Sequence, residues 1–514
     1  MKLTRFWECW IEDLVVYPSL NNLLITNVGG SFLAPPLLQL ALPLSSGNNP
    51  NPYFKPKTFY FFSKICLVVA MDTNLLSHGD VEAKRIALTL MEEAIKSSDP
   101  YEAVSRALKL KGNKLIVREK EFPVKGKIYV LAFGKAACSM AKAVEDILGD
   151  KLEEGVAITK YGYALPLKKI KVIEAGHPVP DENSMRGALA GVELAKKVDK
   201  DDILLVLISG GGSALFCLPE EGISLEDKIK TNELLLKSGA KIYEINTVRK
   251  HISKVKGGKL AKLVKGTLIS LILSDVVGDP LEAIASGPTV KDPTTFEDAR
   301  RVLKVYGIWD KVPESVRRYI EMGLRGEVEE TLKEDLPNVH NFIIGGVSIA
   351  CESAKRKAEE LGLKAYILTT TLEGEAKDVA MALGSIIEEI YHRNRPFKRP
   401  VVLIAGGETT VTILGKAGLG GPNQEIALSI TRKISGLRGT AVLAMDTDGT
   451  DGPTDAAGGL VDSYTLDVLK KEGIDVEEYL ATHSSYDALK KAKALLITGP
   501  TRTNVNSIFI AVLL

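Results

Sequence analysis

No Cys-x-x-Cys spacing occurs among the five cysteines, Cys9, Cys66, Cys138, Cys217 and Cys351. The odd count and the wide scatter argue against a disulfide framework or a structural zinc site, and point to a reducing cytosol. Glutamine is almost missing, with only Gln39 and Gln424. Lys, Arg and Glu dominate the charged residues from Asp72 onward, a balance that leans toward heat-resistant proteins. Charge of one sign is lacking too. Lys and Arg total 66 against 65 Asp and Glu, a net +1, so no global basic footprint for nucleic acid is present. No unbroken apolar run reaches ~18 residues, which argues against a membrane-spanning helix. Three nucleotide and hydrolase signatures are absent: the Walker A loop, the G-x-G-x-x-G dinucleotide fingerprint and the G-x-S-x-G elbow.

What is present is a chain of 514 residues, 45% hydrophobic and 25% charged. That is ordinary for a globular protein with real cores, and the length suggests roughly two to four domains. Residues 1–70 stand apart. They hold only eight charged residues and are rich in Leu, Pro, Asn and aromatics. Glu8, Glu12 and Asp13 near the start, with Pro35, Pro36 and Pro43 in the apolar part, do not fit a signal peptide. At Met71 the character changes to helical spacing of apolar residues. The expectation is that the mature protein starts near Met71 and that 1–70 is a doubtful extension. A disordered or anchoring tail is the alternative.

From residue 127 short apolar runs alternate with helical patterns. "KIYVLAF", "DDILLVLIS", "GTLISLILSD", "NFIIGG", "KAYILTT", "RPVVLIAGG" and "GTAVLAMD" read as strands. Nearly wholly apolar strands between helices predict mainly parallel sheets covered on both faces, an α/β fold. The charged stretch "GLRGEVEETLKEDLPN", 323–338, lacks a strong apolar stripe and marks a domain junction. The expected division is an N-terminal α/β domain over 71–330 and a C-terminal one over 331–514, with a cleft between them. Ligands in such folds bind outside the carboxyl ends of the strands. Those ends carry Gly134-Lys135, Ser209 to Ser213, Asp275 with Asp279, Gly406-Gly407-Glu408, and Asp446 to Asp455.

"LISGGGSALF" after a buried strand offers Ser209, Gly210, Gly211, Gly212 and Ser213 as a backbone cradle for phosphate or carboxylate. A tight structural turn has the same composition. Lys135 at a strand end suits a transferring phosphoryl group if it enters the cleft, and is otherwise a solvated lysine. "NTVRKHISKVKGGKLAKLVKG" places Arg249 and Lys256 on one helix face, a clamp for an anion or a solvated basic helix. "MDTDGTDGPTDAAGG" is not an EF-hand, because Ala457 stands where the late glutamate belongs. Asp446 and Asp448 at a strand end, with Asp451 next in the loop, suit Mg²⁺, which takes one or two carboxylates plus substrate phosphates. Cradle, lysine and carboxylates together point to phosphoryl transfer, where positioning and electrostatics dominate.

These stretches, with "LSDVVGDPLEAIASGPTVKDPTT" and "AGGETTV" with "GGPNQE", resemble the class II glycerate kinases, whose C-terminal part is the MOFRL region. The resemblance covers roughly residues 75–514. It implies ATP-dependent phosphorylation of D-glycerate to 2-phosphoglycerate, with Mg²⁺ or another divalent cation, and a cytosolic enzyme without nucleic-acid or membrane partners. It leaves a homodimer open. It makes Lys135 the family's essential lysine and places Asp275 in an aspartate loop. Arg249 becomes a catalytic candidate, with Gly406, Gly407, Glu408 and Asn423 in substrate or ATP binding. Two positions depart from the family pattern. Pro422 stands where many relatives have an arginine, and Arg502 where they have glycine. A reductase acting on hydroxypyruvate would need a nicotinamide site, for which no fingerprint exists. A non-catalytic metabolite-binding protein on the same fold would not need the carboxylate array.

Overall fold

The computed structural model describes residues 75–514 and, upstream, the backbone of two short strands. The latter, β1 (Leu24–Asn27) and β2 (Gly30–Leu33), form an antiparallel pair. The expectation for residues 1–70 otherwise lies outside the described residues. From Leu108 a meander of β3 (Leu108–Lys111), β4 (Lys114–Val117) and β5 (Lys120–Pro123) precedes the larger elements.

The first large sheet holds β6 (Ile128–Phe133), β7 (Leu152–Lys160), β8 (Ile170–Ala175), β9 (Ile203–Ile208), β10 (Thr267–Leu273) and β11 (Val339–Gly345). Every residue of β6 and β9 is buried, as continuous apolar runs require when helices cover both faces. The spatial order is β11-β10-β9-β6-β7-β8, and all five pairings are parallel. The chain starts in the middle at β6, winds outward through β7 and β8, then returns to β9 and winds the other way. The winding reverses between β6 and β9, and a crevice opens outside their carboxyl ends at such a point.

The second sheet holds β12 (Lys364–Leu372), β13 (Val401–Gly407), β14 (Thr440–Asp446), β15 (Gly458–Asp462), β16 (Leu495–Leu496) and β17 (Ser507–Leu513). Its order is β12-β13-β17-β14-β15-β16. Here β12 and β13 are parallel, and the other four pairings are antiparallel. The last strand is the cause of two of these four. β17 enters the centre of the sheet between β13 and β14 and runs against both. The two large sheets together have six parallel and four antiparallel pairs. The fold is therefore α/β and mainly parallel, with a mixed second half.

The division at residue 330 does not hold. β11 lies beyond 330 yet pairs with β10 at the edge of the first sheet. Conversely, the helix Val81–Ser97 belongs to the second domain. Its buried stripe of Ala83, Ala87, Leu90, Met91 and Ala94 packs with Val347, Cys351, Val402, Leu443 and Ile510. The helix start is fixed there by polar contacts as well. The Asp80 carboxylate accepts from the Gly439 N–H at 2.9 Å and the Ser463 hydroxyl at 2.6 Å. Lys84 and Asp462 form a buried ion pair at 3.2 Å. From Leu75 the described chain thus starts on the second domain, builds the first, and returns after Gly345. Local periodicity identifies such a helix but not the core that takes it. Among the described residues no helix is long and apolar enough to cross a membrane.

Candidate active site between the two sheets

Gly134 and Lys135 follow β6, and Ser209 to Gly212 follow β9, so both turns lie where the winding reverses. They are tied together. The Lys135 N–H donates to Gly210 O at 2.8 Å and the Ala136 N–H to the Ser209 hydroxyl at 3.1 Å. Gly134 has φ +123°, and a Cβ there would meet the Ser209 carbonyl carbon at 2.8 Å, so no other residue fits this approach. The glycine loop rests on the Phe133 ring, 3.1 Å from where a Gly212 Cβ would lie. Phe133 itself stacks on Phe216 at 4.3 Å. The N–H groups of Gly210 and Gly211 have no partner among the described residues, which leaves two donors pointing out of a rigid turn.

Side chains then converge on this loop. Asp275, just past β10, packs its carboxyl against the bare face of Gly210, where a Cβ would lie 2.8 Å from Cγ. Burial pushes the Asp275 pKa up, and the nearby Lys135 ammonium pulls it back. That ammonium has no hydrogen bond or ion pair among the described residues. His177, two residues past β8, brings its ring to the face of Gly211. From the second sheet come Glu408 after β13, Asp446 at the end of β14 and Asn506 before β17. The Asn506 amide nitrogen donates to Asp275 O at 3.0 Å and to the Glu408 carboxylate at 3.3 Å, joining the strand ends of both domains. Desolvation, then Asp275 and Glu373, raise the Glu408 pKa. Desolvation, then Asp448, Asp451 and Glu408, push Asp446 up to about 7. The carboxylates of the two domains feel one another with little positive charge between them.

Several sequence candidates sit elsewhere or have other employment. Asp451 is buried, and its oxygens accept from the Asn423 and Gln424 N–H groups and from both side-chain amides, at 2.9–3.1 Å. It caps the helix Pro422–Ile434 and has no free lone pairs for a cation. Asn423 is buried with it, its amide nitrogen shared between Asp451 and Ser507. Gly406 and Gly407 are packing glycines, not an anion cradle. Cβ atoms there would meet Cys351 Sγ at 2.9 Å and Leu372 Cα at 2.7 Å. Both residues are paired in the sheet, and the Glu408 N–H is used by Leu372 O at 2.8 Å. Asp279 lies against Gly346 and does not pair with Asp275. Ser213 and Ser286 share a hydrogen bond at 3.0 Å.

Arg249 lies in the helix Ile242–His251, which ends before Lys256, so the two do not share a helix face. Arg249 donates from Nε to Asn232 at 3.1 Å and acts electrostatically on Lys228 and Lys256. Each of these two buried lysines donates to a main-chain carbonyl, Ile252 O at 3.0 Å and Ala285 O at 3.2 Å. Burial, then Lys228 and Arg249 against Cys217, lower the Lys256 pKa to about 7. Ala285 is in contact range of Gly212, so Lys256 adjoins the loop through it. Arg502 is exposed at φ +63° on the loop beside Asp448, a left-handed conformation that favours glycine.

Sequence reasoning missed His177 and Asn506. Each flanks a strand that was not foreseen, His177 after β8 and Asn506 before β17. "EAGHPVP" and "VNSIFIAVLL" carried the signal, a polar residue at the end of a short apolar run.

Family models match two parts of the chain. Residues 86–321 match a domain of unknown function, DUF4147, and residues 401–507 match the MOFRL family. A protein of Pyrococcus horikoshii named glycerate 2-kinase is 67% identical over 432 residues, 84% of this chain and 98% of that one. This chain belongs to the glycerate 2-kinase family. A Thermotoga maritima relative named D-glycerate 2-kinase is 46% identical over 84% of this chain and 98% of its own length. The crystal structure of a glycerate kinase from Thermotoga maritima superimposes with TM-score 0.76 at 44% identity, covering 84% of this chain and 99% of that one. In this glycerate 2-kinase family member the candidate site draws on both matched parts: Lys135 and Asp275 lie within the first, Glu408 and Asp446 within the second.

Proposed function

We infer that the protein transfers the γ-phosphoryl group of ATP to the 2-hydroxyl of D-glycerate, giving 2-phosphoglycerate and ADP. The observation that carries this is the convergence at Gly210 and Gly211. Two free N–H donors, an unpaired ammonium and a desolvated carboxylate meet at the reversal point of one sheet, facing carboxylates of the other. Membership in the glycerate 2-kinase family selects the substrates. In the transfer, a bond forms between the 2-oxygen and the γ-phosphorus. The bond from that phosphorus to the β,γ-bridging oxygen breaks, and ADP leaves. Lys135 and the loop N–H groups stabilise charge on the moving phosphoryl, and Asp275 orients the 2-hydroxyl. Arg249 is the candidate for the glycerate carboxylate, since Lys228 and Lys256 are fully buried and already donate to main-chain carbonyls.

The residues fit a divalent cation only in part. No three His, Cys, Asp or Glu cluster tightly enough to hold one among the described residues. Asp446 is the better placed to contribute, since it accepts only the Asp448 N–H while Asp448 already accepts from Thr450 and Asn504, and the crowding that raises the Asp446 pKa suits a cation held mainly by phosphates. Bound there, Mg²⁺ would neutralise charge on the nucleotide. Cys138, Cys217 and Cys351 are free and buried, which suits a reducing cytosol.

Incubation with D-glycerate, ATP and Mg²⁺, with products resolved by NMR, should give 2-phosphoglycerate. No phosphoglycerate, together with NADH consumption on hydroxypyruvate, would overturn the assignment.

A further inference from the structure

Phosphorylating an alcohol releases a proton, and the site needs a group to take it. His177 meets that need by position. Its Cδ2 and Nε2 both lie 2.9 Å from where a Cβ on Gly211 would be, and Lys135 Cγ lies 3.3 Å from the same point. Imidazole and lysine stem therefore close on one glycine whose N–H is free. His177 is half-buried and makes no hydrogen bond among the described residues, so it holds no part of the fold together. Its charged neighbours are Lys135, from the turn after β6, and Lys160, at the end of β7. The glycine loop itself contributes no charge, Asp275 lies beyond Gly210, and Asp181 on the same segment is engaged by Tyr161 and Ser184. Burial, then Lys135 and Lys160, hold the imidazole pKa below its ordinary value, which leaves a neutral ring at pH 7 with one nitrogen able to accept.

We propose that His177 is the catalytic base, accepting the 2-hydroxyl proton of glycerate as the oxygen attacks the γ-phosphorus. The O–H bond breaks and its proton moves to the imidazole. The O–P bond forms, and the electron pair of the breaking P–O bond leaves on ADP. The imidazolium formed beside Lys135 is balanced by the phosphates and then releases its proton to water. Asp275 acts one residue along the same loop as the orienting group.

This rests on the kinase reading, and the test separates the two. The full chain and its His177→Gln and His177→Asn variants are assayed with D-glycerate and ATP from about pH 5 to 9. The active form is the neutral ring, so wild-type kcat should hold above the depressed pKa and fall as pH drops through it. Both variants should melt as wild type does, lose about 10²-fold or more in kcat, shift either KM by less than about threefold, and lose the acid limb. A flat wild-type profile overturns the proposal without any variant. An acid limb retained in either variant overturns it as well, and so does a loss confined to KM for ATP. A wild-type enzyme that makes no phosphoglycerate sinks the kinase reading instead.

Discussion

Adding one methyl group at Gly210 tests the geometry of the site without removing any functional group. Gly210 is not in the left-handed region, so alanine meets no backbone penalty there, but its Cβ would lie 2.8 Å from Asp275 Cγ. Ordinary contact begins at 3.4 Å, and the nearer carboxyl oxygen is closer still. The whole carboxyl group must swing away by about 1 Å, a misplacement that can cost 10²-fold in rate. The Asp275 main chain is anchored to the second domain, since its carbonyl accepts from Asn506, so the carboxyl group moves by turning about its own side-chain bonds. The overpacking should cost about 1–3 kcal/mol of stability. Steady-state kinetics on Gly210→Ala should show kcat falling about 10²-fold, and a thermal melt should show a lower Tm. Combining it with Asp275→Asn should give little further loss, because both act through one carboxyl group. Wild-type kcat and Tm in Gly210→Ala would refute the placement of Asp275, and fully additive losses would refute its role as the target.

Lys135→Ala should lower kcat by ~10²-fold, about 2.7 kcal/mol, with a smaller change in KM. Lys135→Arg should not fully restore it, since a planar guanidinium does not replace a compact ammonium. Lys256→Met should raise Tm near neutral pH. The buried ammonium titrates near 7 in the folded protein and near 10.4 unfolded, so its charge penalty is full below about 7 and fades as pH rises. Melts of both proteins at neutral and alkaline pH should show the gain shrinking. Asp451→Ala should cost Tm heavily, because four donors of the helix Pro422–Ile434 lose a buried acceptor, at about 1–3 kcal/mol for each group left unpaired. Titration of activity with Mg²⁺ should show an unchanged midpoint in the surviving folded fraction.

The sequence alone settled the α/β class and marked the glycine-bearing strand ends, because both are local. A run such as Ile203–Ile208 has no polar face and must be covered on both sides. Glycines beside Ser209 and Lys135 mark strand ends whatever their neighbours are. Tertiary structure decided everything that depends on which strand lies beside which. It put β17 in the centre of the second sheet, returned the helix Val81–Ser97 to the second core, and moved β11 into the first. An apolar stripe records that a face is buried, not against what. The same limit governed the site. Asp446 and Asp451 look alike in "MDTDGTDGPTDAAGG", but one shares a crowded cleft with Glu408 and the other caps a helix. His177 and Asp275, 98 positions apart in the chain, meet on neighbouring glycines because β8 and β10 end at the same edge of one parallel sheet.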